Sequence, residues 1–127
     1  MNNLDRIDEV EELLNELCEE LPKYAFNYLN GGVTLSEEIK YHPEAKDDDL
    51  LILGQYERSI LGLSITIFYG SIDLLYGHLE REDLKDRLRE VLFHEFTHHM
   101  EFLAKNRDLE IEDEEFMEKY RNEHRHE

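Results

Sequence analysis

Along residues 4–21 the apolar positions Ile7, Val10, Leu14, Leu17, Cys18 and Leu21 return at intervals of three and four, with Glu and Asp filling the gaps. That spacing gathers the apolar side chains into one stripe of an amphipathic helix and leaves the other faces to water. Pro22 suits the first position of a second short helical segment over 22–29, and Gly31 and Gly32 supply the left-handed angles that close it. Between 33 and 76 the period changes. β-branched and aromatic residues rise, helix-length repeats disappear, and strands are expected at 33–35, 50–56 and 64–69. The last reads SITIFY, with Ile65, Ile67 and Tyr69 on one face and Gly70 ending it. Residues 37–49, with His42, Pro43 and the run Asp47, Asp48, Asp49, have no apolar face and read as a polar loop. The three aspartates carry charge suited to a hard cation such as calcium, but not the spaced ligand loop such a site needs, so a solvated charge run accounts for them.

A long helix is expected over 81–106 and another over 113–122, separated by a turn near Asn106. Helix, strands, helix, helix in that order describe an α+β fold, with helices packed on one side of a small mixed or antiparallel sheet. With 127 residues, residues 1–127 are expected to form a single domain.

Charge narrows the partners. Lys and Arg number 14 against 32 Asp and Glu, a formal net charge of −18. A surface that negative repels phosphate backbones and anionic lipid headgroups, which argues against nucleic acid and membrane surfaces as partners. The first residues show no basic and apolar leader, and no apolar run approaches the length of a membrane span. Cys18 is the only cysteine, which excludes an internal disulfide and a cysteine-based zinc cluster and suits a reducing, cytoplasmic setting. Oligomeric state leaves no mark on the sequence.

One segment carries chemistry: His94-Glu95-Phe96-Thr97-His98, an HExxH pentad inside the predicted helix and after a predicted strand. Residues four apart share a helix face, so His94 and His98 can converge on one zinc ion. Glu95, offset by one position, stands beside the metal rather than on it, where it can take a proton from water and return it to a leaving amine. Phe93, Phe96, Met100 and Phe102 would wall the site. On a helical projection Leu88, Leu92, Phe96 and Leu103 form the apolar stripe, His94 and His98 lie at its margin, and His99 falls inside it. His99 therefore reads as a buried, hydrogen-bonded histidine.

Two histidines leave a catalytic zinc short of a third protein ligand. Glu101 shares the face but lies two turns from His94, which strains a common ion. Asp108, Glu110, Glu112 and Asp113 follow the expected turn. Asp113 would lie on the apolar stripe of the last helix with Phe116, Met117 and Tyr120, where a carboxylate needs a partner. A metal ion is one; the start of that helix, which Asp113 would cap, is the other. Asp108 is the next choice as ligand. His78, His124 and His126 lie on no periodic face, the last two in a charged tail, and read as solvent-exposed; Cys18 reads as core.

The segment EVLFHEFTHHM resembles the small zincin-like metallopeptidase family of bacteria, the minimal zincins, whose members carry the same HExxHH; LLILGQY and SITIFYGSI are similar to family segments upstream of that helix. The family follows its pentad with a glycine and, shortly after, an aspartate proposed as third ligand. Here Glu101 stands at the glycine position and Ala104 at the aspartate position; an alignment that lengthens the helix instead matches EIEDEEF and carries the ligand onto Asp113. The resemblance implies a zinc peptidase acting on a peptide or protein substrate, with 64–69 as the strand beside the site to which extended peptide would add. Tyr69, Tyr76 or Tyr120 would serve the oxyanion. Its rival is a non-catalytic module, stabilised by zinc or binding a partner, with a vestigial site.

Overall fold

The computed structural model describes residues 4–44 and 50–124, with side chains described as far as Asn106. The run Asp47 to Asp49 and His126 lie outside the described residues, as do the side chains of Asp108, Glu110, Glu112, Asp113, Tyr120 and His124.

Helix α1 spans Ile7–Glu19 and buries Val10, Leu13, Leu14 and Leu17, the stripe read from the sequence with Leu13 added. A 3-10 turn, Lys23–Phe26, follows. Strands β1 (Gly32–Ser36), β4 (Gly54–Ser59) and β5 (Gly62–Phe68) form a mixed sheet in the order β1-β5-β4. β1 runs parallel to β5, and β4 pairs antiparallel with it through a two-residue turn at Ile60 and Leu61. The short strands β2 (Lys40–Tyr41) and β3 (Leu51–Ile52) form a separate antiparallel ribbon. Helix α2 spans Tyr69–Tyr76 and α3 spans Arg81–His124. Among the described residues no helix is long and apolar enough to cross a membrane.

The core is a single cluster. Val10, Leu13, Leu14 and Leu17 of α1 meet Leu84, Leu88, Leu92 and Phe96 of α3 over Ile65 and Ile67 of the sheet. Period four on α3 and period two on β5 are what place these side chains on facing surfaces. Ion pairs tie the two helices along their exposed margin, Arg81 to Glu16 at 2.7 Å and Arg89 to Glu20 at 3.0 Å. Exposed pairs of this kind contribute about 0–1 kcal/mol each, so the apolar contact holds the helices and the charges orient them.

Three expectations are corrected. Residues 37–49 are not wholly loop, because Lys40 and Tyr41 pair with Ile52 and Leu51. Tyr69 is not the end of a strand: it opens α2, and Gly70 lies in that helix's first turn. Eight residues are too few to display a repeat, and apolar residues on every side conceal the change of period. Finally, α3 is one helix, with no turn at Asn106. Residues 104–112, AKNRDLEIE, contain neither Gly nor Pro, and nothing in them stops a helix.

One turn depends on a distant residue. The loop Ile60-Leu61 has none of the usual hairpin turn chemistry except Gly62, at φ 130°. Asn30 compensates: its Nδ2 donates to the Leu61 carbonyl at 3.0 Å and its Oδ1 accepts from the Leu63 amide at 2.8 Å. A Cβ on Gly62 would come within 2.0 Å of that Asn30 side chain.

Candidate metal centre

α3 holds its inward stripe against the sheet, which turns the adjoining positions 94 and 98 to solvent and rolls position 95 under the strand. His94 and His98 are exposed, and Glu95 is buried, only 7% exposed. The Nε2 atoms of the two histidines converge to 3.0 Å. Two imidazole nitrogens on one tetrahedral zinc, each about 2.0–2.1 Å from it, stand about 3.3 Å apart. One donor atom from each of His94, Glu95 and His98 lies within 4.8 Å of the others. The donor set fits a borderline-soft divalent ion such as zinc, with imidazole nitrogen on two sides and a carboxylate adjacent.

Glu95 lies against the sheet. The backbone N–H of Tyr56 faces its carboxylate. Burial pushes the Glu95 pKa above the usual carboxylate value, while His94, His98 and that N–H pull the other way. The approach is close because position 54 is glycine: a Cβ there would meet Val91 Cγ1 at 3.0 Å, Ile67 Cδ1 at 3.1 Å and Glu95 Cγ at 3.4 Å.

The strand beside the site is β4, not 64–69. β5 has neighbours on both sides, β1 and β4, so it has no edge to offer. β4 is an edge strand, and in its antiparallel register the residues 54, 56 and 58 turn their backbone groups away from β5. Gly54, Tyr56 and Arg58 also put one face against α3, successively at Glu95, His99 and Phe102.

His99 is the buried histidine its place on the stripe predicts, and it is not a ligand. Fully enclosed, its Nε2 lies 2.8 Å from the Asn27 carbonyl and its Nδ1 2.7 Å from the Tyr56 hydroxyl. A carbonyl only accepts, so Nε2 donates to Asn27, and Nδ1 shares a hydrogen bond with the Tyr56 hydroxyl. Tyr28, the residue after that carbonyl, takes a left-handed φ of 66°.

Glu101 faces the other nitrogen of His98, its carboxylate 3.8 Å from Nδ1, and so lies away from the converging pair. Tyr69 is buried, only 1% exposed, and its hydroxyl accepts from the Arg6 amide at the start of α1. His78 is exposed, and Cys18 packs partly buried against the core. Asp113 lies outside the described side chains. On an unbroken α3 its backbone stands fifteen residues beyond His98, about 22 Å along the axis, so it meets the pair only if the chain folds back. Tyr56 and Arg58 were not foreseen: they are some forty residues from the pentad, and no local spacing points from one to the other.

No protein-family model matches this sequence, and no curated protein matches it significantly. Among solved structures the chain is similar to a conserved hypothetical protein from Thermus thermophilus, at 29% identity and a TM-score of 0.67. The match covers 79% of this chain and 98% of that one. The name of that protein states no activity.

Proposed function

We propose that this protein is a zinc-dependent metallopeptidase that hydrolyses a peptide or amide bond, with His94 and His98 as metal ligands and Glu95 as general base. The observation that carries the reading is the meeting of three groups. Two imidazole nitrogens converge at 3.0 Å, and a buried carboxylate, Glu95, lies beside them with a donor atom within 4.8 Å of theirs. A reducing compartment such as the cytoplasm suits the lone Cys18.

Bound zinc supplies Lewis acidity, polarising the substrate carbonyl and making a water acidic near neutral pH. The chain's own residues supply the rest. Glu95, its pKa raised by burial, accepts the proton of the attacking water as the oxygen–carbon bond forms, and passes it to the nitrogen as the carbon–nitrogen bond breaks. The outward backbone groups of β4 suit an extended peptide lying along that edge. Asp113, which the continuous α3 carries about 22 Å beyond His98, is not assigned as a ligand.

The rival reading, a structural zinc, has less support. A structural ion joins segments that would otherwise part, whereas both histidines here lie on one turn of α3, above a core that packs without them.

The test is metal content by elemental mass spectrometry together with a peptide-library assay. Wild type is expected to hold about one zinc per chain, His98→Ala to lose metal and turnover, and Glu95→Gln to keep the metal without turnover. Unchanged turnover in a metal-loaded Glu95→Gln protein would remove Glu95 as base and the peptidase reading with it.

A further inference from the structure

A shallow groove of about 230 Å³ opens beside the pair, lined by Tyr56, Arg58, His98, Glu101, Phe102 and Lys105. Two of its six lining residues are cations, in a chain of net charge −18. Every other arginine with a described side chain is consumed by acids: Arg6 pairs with Glu9, Arg81 with Glu16, Arg87 with Glu90, and Arg89 with Glu20 and Asp86. Neither Arg58 nor Lys105 has a carboxylate within ion-pair distance among the described residues. Glu101, the acid of the groove, has its carboxylate nearest His98, at 3.8 Å.

Arg58 is also held in a usable pose. Its guanidinium carbon lies 4.8 Å from the centre of the Phe102 ring, which in turn packs against Tyr56. A guanidinium resting on an aromatic face keeps its planar N–H fork free, and that fork matches a carboxylate with two parallel hydrogen bonds. In so acidic a protein, two cations lining one groove that reaches His98 are local attraction against a repulsive background. A volume of about 230 Å³ admits a side chain or chain terminus rather than a folded partner.

We propose that this groove binds a carboxylate of the substrate, with Arg58 as the anchor and Lys105 as the second cation, so that acidic peptides are selected. The inference rests on His94, Glu95 and His98 being the reacting centre. The carboxylate comes either from an Asp or Glu side chain or from a free C-terminus, and the chemistry is the same for both.

Three pentapeptides separate the cases. One is blocked at both ends with a central glutamate, the second replaces that glutamate by glutamine, and the third is uncharged in sequence with a free C-terminal carboxylate. Titrated into zinc-loaded Glu95→Gln protein by calorimetry, one of the two carboxylate peptides is expected to bind at least tenfold more tightly than the glutamine peptide. Which of them does so identifies the source. Arg58→Gln is expected to reduce that preference below threefold, Lys105→Gln to reduce it partly, and Arg58→Lys to restore only part of it. Circular dichroism checks the fold of each variant. Equal binding of all three peptides, no binding of either carboxylate peptide, or a preference untouched by Arg58→Gln overturns the proposal.

The two readings fail separately. Zinc-loaded wild type that cleaves the glutamine peptide as fast as the others keeps the peptidase and loses the groove. An Arg58-dependent carboxylate preference without cleavage of any bound peptide keeps the groove and loses the peptidase.

Discussion

The Tyr56 hydroxyl lies 2.7 Å from Nδ1 of His99, one helical turn beyond Glu95 on α3. Strand and helix are thus tied beside the candidate centre by a single side chain. Replacing Tyr56 by Phe removes that tie and strands a buried imidazole nitrogen. The expected loss is about 1–3 kcal/mol in urea unfolding, with zinc content unchanged. A loss of zinc in a folded Tyr56→Phe protein would show that the hydroxyl acts on the metal pair itself.

Position 54 is expected to couple packing to activity. Gly54→Ala forces a methyl group to within 3.0 Å of Val91 and 3.4 Å of Glu95, so α3 must yield by a few tenths of an ångström. A stability loss of about 1–3 kcal/mol is expected, with turnover of a metal-loaded sample falling further than zinc content. Thermal melts, elemental analysis and an activity assay on one preparation read all three.

Chelation is expected to leave the fold standing. The apolar cluster of α1, α3 and β5 lies beneath the histidines and uses neither of them. Far-ultraviolet circular dichroism should therefore stay within error of the untreated protein after zinc is stripped. A cooperative collapse would instead favour the structural-zinc reading.

Stability is expected to fall at both ends of the pH scale. Arg6 holds the Glu9 carboxyl, and Arg89 the Glu20 carboxyl, below the ordinary value of 4.5. A depressed acid stabilises the fold above its unfolded pKa and loses that contribution as pH drops through the lower folded value, so the acid loss begins below about 4.5. At the other end, burial raises Tyr56 and Tyr69 above their ordinary 10.0 and Cys18 above 9.0. Groups raised in the fold contribute fully below those ordinary values, and the contribution disappears as pH climbs through the folded ones. Urea midpoints at pH 3.5, 7 and 10.5 check both arms, and Tyr56→Phe should flatten the alkaline one.

Tyr28 is expected to be improvable. It holds φ 66° with its side chain 78% exposed, a left-handed conformation that costs a residue with a Cβ about 1–2 kcal/mol. Tyr28→Gly removes that cost and loses little packing, so a net gain of up to about 1 kcal/mol is expected, less the entropy that glycine returns to the unfolded chain. Denaturant titration decides it.

Local spacing carried the sequence a good distance. The i, i+4 relation brought out His94 and His98, the offset of one position placed Glu95 beside them, and the stripe of Leu88, Leu92 and Phe96 put His99 inside the core. What stayed hidden depends on contacts between distant segments. Nothing near Gln55 marks β4 as the sheet's edge, because that follows from β1 taking the other side of β5. Tyr56 and Arg58 gain their significance only once that edge lies against α3. The expected break at Asn106 came from weighing one weak helix former over a run of good ones.

Asn30 carries a consequence for the order of assembly. The β4–β5 turn receives its hydrogen bonds from a residue thirty-one positions before Leu61, so this hairpin closes well only after the chain ahead of β1 has arrived. The strand that carries Tyr56 is therefore expected to form late, although the pentad beside it lies wholly in the second half of the chain. A fragment of residues 50–106 would contain every residue of the HExxH turn and of β4 and yet lack the clamp. Its amide spectra should show helix at 81–106 without β4 amide protection, and full protection there would place the hairpin's formation earlier.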